Sequence, residues 1–245
     1  MSALEDEEPE FFDWQGIKIF QHETVHKVGT DAVLLASWIV RLLKEAPTYI
    51  LDAGTGSGIL ALMMAKAFPT SNICAVDIDQ QALRLAALNA SNTMSGNRIV
   101  VSYENILAPP SSGSPSYNLI LSNPPFYSTT NLPESAYKAK AKHSSAPVDE
   151  WIGGLLSRLS ETGQLCIIVP AESAAKWISA ANQLGYHNQH RMDVLSFDAD
   201  PKPKRALLHF GKNLIKPTFS RMVIYSDDHS YAQAYLNLTG IRPGQ

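Results

Sequence analysis

The chain has 245 residues, 45% hydrophobic and 18% charged, enough to bury a substantial core and an ordinary size for a single α/β domain. Its formal net charge of −3 is uneven, because Glu5, Asp6, Glu7, Glu8 and Glu10 crowd the start and leave the remainder slightly basic. No apolar run reaches the 18 residues of a membrane helix, and the opening lacks the basic start and apolar core of a secretory signal, so a soluble cytoplasmic protein is expected. Cys74 and Cys166 lie far apart in apolar runs and read as two reduced, buried thiols.

The acidic opening reads as a frayed tail, since like charges repel and bury nothing. Trp14 to Phe20 alternates weakly and predicts a small strand or hairpin. A polar segment containing His22 and His26 follows; no Cys or carboxylate pattern around these histidines suggests a metal site. Thr30 or Asp31 is expected to cap an apolar helix running to about Lys44.

Tyr49-Ile50-Leu51-Asp52 is a short buried strand that runs into Ala53-Gly54-Thr55-Gly56-Ser57-Gly58, and Ile59 to Phe68 is a helix apolar all round. Glycines permit positive φ and close approach of a ligand, while the helix start presents free N–H groups. A dinucleotide fingerprint requires G-x-G-x-x-G, but here the third glycine falls at 58 and Ile59 follows, which favours a nucleoside without a pyrophosphate. The next strand, Asn72 to Val76, ends at Asp77, about 20 residues past the glycines, where an acidic side chain can take both ribose hydroxyls. Asp79 is placed to cap a helix from Gln80 to Asn92. Arg98 to Tyr103 is a third strand, and Asn105 follows at its carboxyl end, the edge where open α/β sheets bind ligands. Residues 108–116 read as a surface loop.

Tyr117 to Ser122 is a buried strand that must stop at Asn123-Pro124-Pro125-Phe126, because two prolines forbid continuation of the ladder. A residue before proline is pushed to extended conformations, so Asn123 is held rigidly. Its amide oxygen and the carbonyls of Asn123 and Pro124 form a cluster of acceptors suited to an exocyclic amino group, with Phe126 offering a flat face to the ring. An ordinary proline turn after a strand accounts for Asn-Pro-Pro equally well; the upstream glycine loop and Asp77 favour the site. The polar stretch to about Ser145 carries Lys138, Lys140, Lys142 and His143, and a loop of roughly 20 residues in a compact domain is unusual unless functional. Further on, helices are expected over Val148–Glu161, stopped by Gly163, and over Ala171–Leu184. Strands are expected over Gln164–Val169, Tyr186–Leu195 and Ala206–Phe210, with an edge strand over Met222–Tyr225 and a short helix over Tyr231–Leu238. Lys202, Lys204 and Arg205 form a second charged loop.

The assembled pattern, over roughly residues 16–240, resembles the class I S-adenosylmethionine-dependent methyltransferases. The resemblance implies a Rossmann-like, doubly wound α/β fold with a seven-stranded sheet whose last strand is antiparallel. Its parts would be an acidic tail over 1–12, expected to be disordered, a substrate- and cofactor-covering segment over 13–46, and a methyltransferase domain over 47–245. It implies S-adenosyl-L-methionine as cofactor, held by Lys27, Gly29, Thr30, Asp52, Gly54, Gly56, Gly58, Asp77, Ile78, Asn105, Ile106 and Asn123, with Asn105 standing where the family usually has Asp. Asn-Pro-Pro-Phe narrows the match to enzymes that methylate planar nitrogen: adenine N6, guanine N2 or a glutamine amide. Asn123, Pro124 and Phe126 would be the catalytic group. Three segments, Lys27 to Leu35, Lys204 to Phe210 and Tyr231 to Thr239, look like the bacterial valine-tRNA adenine-37 N6-methyltransferases. That resemblance implies the anticodon loop of a valine tRNA as partner, with Lys138, Lys140, Lys142, Lys202, Lys204 and Arg205 on its backbone, and neither a metal nor a membrane.

Overall fold

The computed structural model describes residues 11–21, 25, 29–111, 113, 115–124 and 146–241. The chain opens with an antiparallel hairpin, β1 (Phe11–Trp14) and β2 (Ile17–Phe20). Its two turn residues, Gln15 and Gly16, both have positive φ (49° and 83°), the backbone that matches the twist of a two-residue hairpin. Trp14 and Ile19 on this hairpin share one core with the helix that follows, so the hairpin and the sheet are built around the same apolar cluster.

That helix, α1 (Thr30–Leu42), starts with Gly29 at its N-cap and has no side-chain cap. The expected capping by Thr30 or Asp31 does not occur. Both lie inside the first turn, and the carboxylate of Asp31 is engaged by Arg205. Strand β3 (Tyr49–Ala53) leads through the glycine loop to α2 (Ile59–Ala67), then β4 (Asn72–Asp77), α3 (Gln80–Ser91), β5 (Ile99–Tyr103) and β6 (Tyr117–Ser122). Asp79 caps α3 as expected, accepting from Gln81 N.

After β6 come α4 (Val148–Leu156), β7 (Leu159–Pro170), α5 (Ala174–Gln183), β8 (His187–Leu195), β9 (Arg205–Gly211), β10 (Thr218–Val223) and α6 (Gln233–Thr239). The helix expected to reach Glu161 stops at Leu156, and Gly163 lies inside β7 rather than ending a helix. A Cβ at Gly163 would sit 2.7 Å from the Tyr117 carbonyl oxygen, so this glycine permits close passage beside β6 where the β6–β7 register shifts.

Among the described residues the sheet has eight strands, in the order β10-β8-β9-β7-β6-β3-β4-β5, rather than seven. Only β9 runs antiparallel, and it is not the last strand; β10 adds an edge strand parallel to β8. Alternation along the strands builds a core on each face. Ile50, Leu119, Leu121 and Ile168 pack with α1 and α2, while Leu51, Ile120, Leu165 and Ile167 pack with α4 and α5. Strand β3 lies between β4 and β6, so the chain order reverses at its carboxyl end, where open α/β sheets form their binding crevice. No helix among the described residues is long and apolar enough to cross a membrane.

Candidate active site

The glycine loop leaves β3 at that reversal point. Gly54 N and Thr55 N both donate to Val76 O, at 2.9 Å each, and Gly58 N donates to Thr55 O at 2.9 Å. Gly54, Gly56 and Gly58 adopt φ of 76°, 55° and 85°, a backbone costly for other residues. A Cβ at Gly54 or Gly56 would meet nothing within 4 Å, so the loop presents open space on that side. At Gly58 it would lie 3.2 Å from Ala86, where α3 packs against the loop. Asn89 of α3 is fully buried. Its amide accepts from Phe20 N (2.8 Å) and donates to Phe20 O (3.0 Å) and Ser57 O (2.8 Å), tying the hairpin to the loop.

Two carboxyls flank the loop. Asp52, fully buried, accepts through Oδ2 from Thr55 Oγ1 (2.6 Å) and Ala61 N (3.0 Å), while Oδ1 has no partner among the described residues. Burial pushes its pKa from 3.8 to about 7 against those two hydrogen bonds. Asp77, at the end of β4, takes Gly56 N on Oδ2 (3.0 Å) and Asp79 N on Oδ1 (2.9 Å). Burial raises its pKa too, opposed by those backbone donors. Ile78 follows it, half-buried.

Beyond β5, Asn105 Oδ1 accepts from Leu107 N at 2.9 Å, so its amide oxygen fixes its own loop. Ile106, expected in the cofactor site, has its side chain buried in the core. Arg158 holds this loop, and the sequence reading missed it. Its guanidinium donates to Glu104 Oε1 (2.6 Å) and to the carbonyls of Asn105 (3.2 Å), Ile106 (3.1 Å), Ala108 (3.0 Å) and Gly154 (2.7 Å). A Cβ at Gly154 would lie 2.0 Å from Ile106 O, so α4 can rest on the loop only with glycine there. The signal in the sequence was the Gly153-Gly154 pair, out of place inside a helix.

Asn123 and Pro124 follow β6 directly. Ser122 Oγ donates to Ala53 O at 2.7 Å, locking the end of β6 to the end of β3, so Asn123 emerges beside the glycine loop. Asn123 is half-buried and Pro124 buried. Phe126, Lys27, Lys138, Lys140 and Lys142 lie outside the described residues. Gly29 and Thr30 stand at the start of α1. There Asp31 Oδ2 accepts from Arg205 Nε at 2.8 Å, so Arg205 is an ion-pair partner within the fold rather than an uncommitted cation. Lys202 and Lys204 are exposed on the connection from β8 to β9, with Lys202 beside a shallow groove of about 260 Å³. Among the described residues no cluster of three or more His, Cys, Asp or Glu is arranged for a metal.

The orphaned Asp52 oxygen, the open glycine loop and the Asp77 carboxylate fit S-adenosylmethionine, whose parts are a charged sulfonium amino acid and a ribose without phosphate. A family model described as methyltransferase small domain matches residues 24–178. The tRNA1(Val) (adenine(37)-N6)-methyltransferase of Flavobacterium psychrophilum is 31% identical over 231 residues, covering 93% of this chain and 97% of that protein. Its counterpart in Flavobacterium johnsoniae is 32% identical over 232 residues, with the same coverage. Among solved structures, one titled a predicted O-methyltransferase from Agrobacterium tumefaciens aligns with a TM-score of 0.67 at 18% identity, covering 86% of this chain and 95% of that one. A methyltransferase from Pyrococcus furiosus aligns with a TM-score of 0.55 at 18% identity, covering 82% and 91%. The structures share the fold, and the sequence matches run almost end to end: the chain belongs to the methyltransferase small domain family, S-adenosylmethionine-dependent enzymes, and groups there with the tRNA1(Val) (adenine(37)-N6)-methyltransferases.

Proposed function

We propose that this enzyme methylates N6 of adenine 37 in the anticodon loop of valine tRNA, in the cytoplasm. The observation that best supports the chemistry is the hydrogen bond from Ser122 Oγ to Ala53 O, since Asn123 follows the one residue and the glycine loop the other. The choice of adenine 37 rests on relatives of that name whose similarity extends over 93% of the chain. Free thiols at Cys74 and Cys166 suit a reducing compartment.

An exocyclic amino group is a poor nucleophile because its lone pair is delocalised into the ring. S-adenosylmethionine, when bound, supplies an electrophilic methyl group. Asn123 Oδ1 and the Pro124 carbonyl accept the two amino hydrogens, favouring a pyramidal nitrogen and aiming its lone pair. Proline cannot follow the strand and Asn123 cannot relax into helix, so these dipoles are fixed before substrate arrives, and orientation with preorganised dipoles provides the acceleration. Phe126 stacks on the ring. Asp77 holds the ribose, Asn105 faces the adenine of the cofactor, and Lys138, Lys140, Lys142, Lys202 and Lys204 meet the RNA backbone, with Arg205 ordering that edge through Asp31.

The test is labelled methyl transfer to tRNA, ribosomal RNA and release factor in parallel, with nucleoside and amino-acid analysis. N6-methyladenosine at position 37 of valine tRNA is expected. Methylguanosine in ribosomal RNA or methylglutamine in release factor would overturn the assignment while leaving the enzyme an N-methyltransferase.

A further inference from the structure

The carboxyl edge of the sheet carries a second feature, remote from the glycine loop. Five aromatic rings form a continuous ladder. Tyr235 stacks on Tyr231 (centroids 4.8 Å, 22°), Tyr231 on Tyr225 (5.4 Å, 17°), Tyr225 lies against Phe197 (5.6 Å, 35°), and Phe197 meets His229 edge-to-face (5.0 Å, 78°). The inner end, Tyr235, is fully buried; the outer end, His229, is exposed, with Phe197 half-buried beneath it. Packing accounts for the inner rungs but gives no reason to hold an imidazole edge-to-face against a phenyl ring in solvent.

His229 is held there deliberately. It is a non-glycine residue at φ 63°, a strained backbone, fixed by a tight turn in which Ser226 N donates to Ser230 O (2.9 Å) and His229 N to Ser226 O (2.9 Å). Asp228 Oδ1 takes both Ser230 N (3.0 Å) and Ser230 Oγ (2.6 Å). Ser196 and Phe197 open the β8–β9 connection, which carries the exposed Lys202 and Lys204 together with Asp198, ion-paired with Arg221 at 3.1 Å, and Asp200, which accepts from Ser196 N (3.0 Å) and Phe197 N (3.1 Å). The exposed imidazole set edge-to-face on Phe197, with two lysines on the adjoining connection to meet a phosphate, suits a planar ligand such as an unpaired nucleotide. Strand β8 is three strands from β6, roughly 14 Å at the usual spacing, so this surface cannot serve the base that Asn123 holds.

We propose that Phe197 and His229 form a second base-stacking site, which holds an unpaired nucleotide of the substrate RNA a few positions from the methylated one. The inference rests on the RNA-methyltransferase reading above and extends it to substrate choice, since only a loop that can splay a second base reaches both sites. Three variants of the full chain test it. Phe197→Leu removes the ring and keeps apolar volume, Phe197→Trp keeps a ring, and His229→Asn removes the imidazole while tolerating positive φ. With an anticodon stem–loop of valine tRNA as probe, Phe197→Leu and His229→Asn are expected to raise KM roughly tenfold, with the loss on KM rather than kcat, and Phe197→Trp to restore it. Cofactor affinity by calorimetry and melting temperature should hold. In stem–loops carrying 2-aminopurine at successive loop positions, the unaltered protein should quench one position besides the target, and Phe197→Leu should abolish that quenching. Unchanged KM and quenching in both ring-deleted variants would overturn the proposal, as would a drop in melting temperature with quenching intact. Failure of the unaltered protein to methylate the stem–loop would instead sink the adenine-37 reading, and quenching by a bound RNA would still decide the stacking site.

Discussion

Asp52 and Asp77 flank one loop and have different work. Asp77 accepts Gly56 N and Asp79 N on its two oxygens, and in the proposed site its remaining lone pairs would take the ribose hydroxyls. Asp77→Ala should weaken S-adenosylmethionine binding by about 1–3 kcal/mol, because the buried hydroxyls lose their acceptor; calorimetry showing unchanged affinity would remove it from the site. Asp52 is raised to about 7 by burial, so the folded protein keeps a proton that the unfolded chain releases near 3.8. Its contribution to stability is therefore fully present below about pH 4 and is lost as pH rises through about 7. Asp52→Asn, which can still accept from Thr55 and Ala61, should flatten the pH dependence over that window and add on the order of 1–3 kcal/mol at pH 8 in the cofactor-free protein. Denaturant melts across pH check it; an unchanged slope would mean the group titrates near its ordinary value. These residues were legible because the glycine spacing and the strand ends are local patterns. Arg158 and Asn89 were not, since what each does depends on partners up to 69 positions away.

At the scale of elements, most boundaries followed from apolar runs and prolines, and the failures have physical causes. The helix predicted to reach Glu161 stops early because Arg158 turns inward to five acceptors and the chain then re-enters the sheet. Gly163 looked like a helix stop and is instead the place where β7 passes the Tyr117 carbonyl. Capping by Thr30 or Asp31 was a sound local expectation, but the helix takes Gly29 as its N-cap, and Asp31 is drawn to Arg205, 174 positions on. The Arg158 clamp predicts that Arg158→Leu costs about 3–5 kcal/mol, since Glu104 and four carbonyls lose a buried donor. Gly154→Ala should destabilise by about 1–3 kcal/mol by forcing α4 off the Ile106 carbonyl. Chemical denaturation measures both, and near-neutral values would show that the 105–108 loop is held otherwise.

Taken whole, the molecule brings together the three segments that carried the family resemblance. Asp31 bonds Arg205, Arg41 Nη2 donates to Asn237 O, and Tyr235 is buried in the core that contains α1. This convergence packs α1, the start of β9 and α6 against one another. The sequence could not have shown it, because the strand order and the extra strand β10 are set by pairing between distant segments. Net acidity of the chain does not oppose RNA binding, which follows local patches. Replacing Lys202 and Lys204 with alanine should weaken tRNA binding and flatten its salt dependence while leaving cofactor affinity alone; an unchanged salt slope would move the footprint elsewhere.

The central claim is that Asn123 acts on the transition state rather than on the fold. Single-turnover methylation of valine tRNA by Asn123→Ala, with melting temperature and cofactor affinity measured on the same sample, tests it most directly. Loss of the rate by orders of magnitude in a folded, cofactor-binding protein is the predicted result. A folded Asn123→Ala protein that still transfers methyl at nearly the normal single-turnover rate would contradict it.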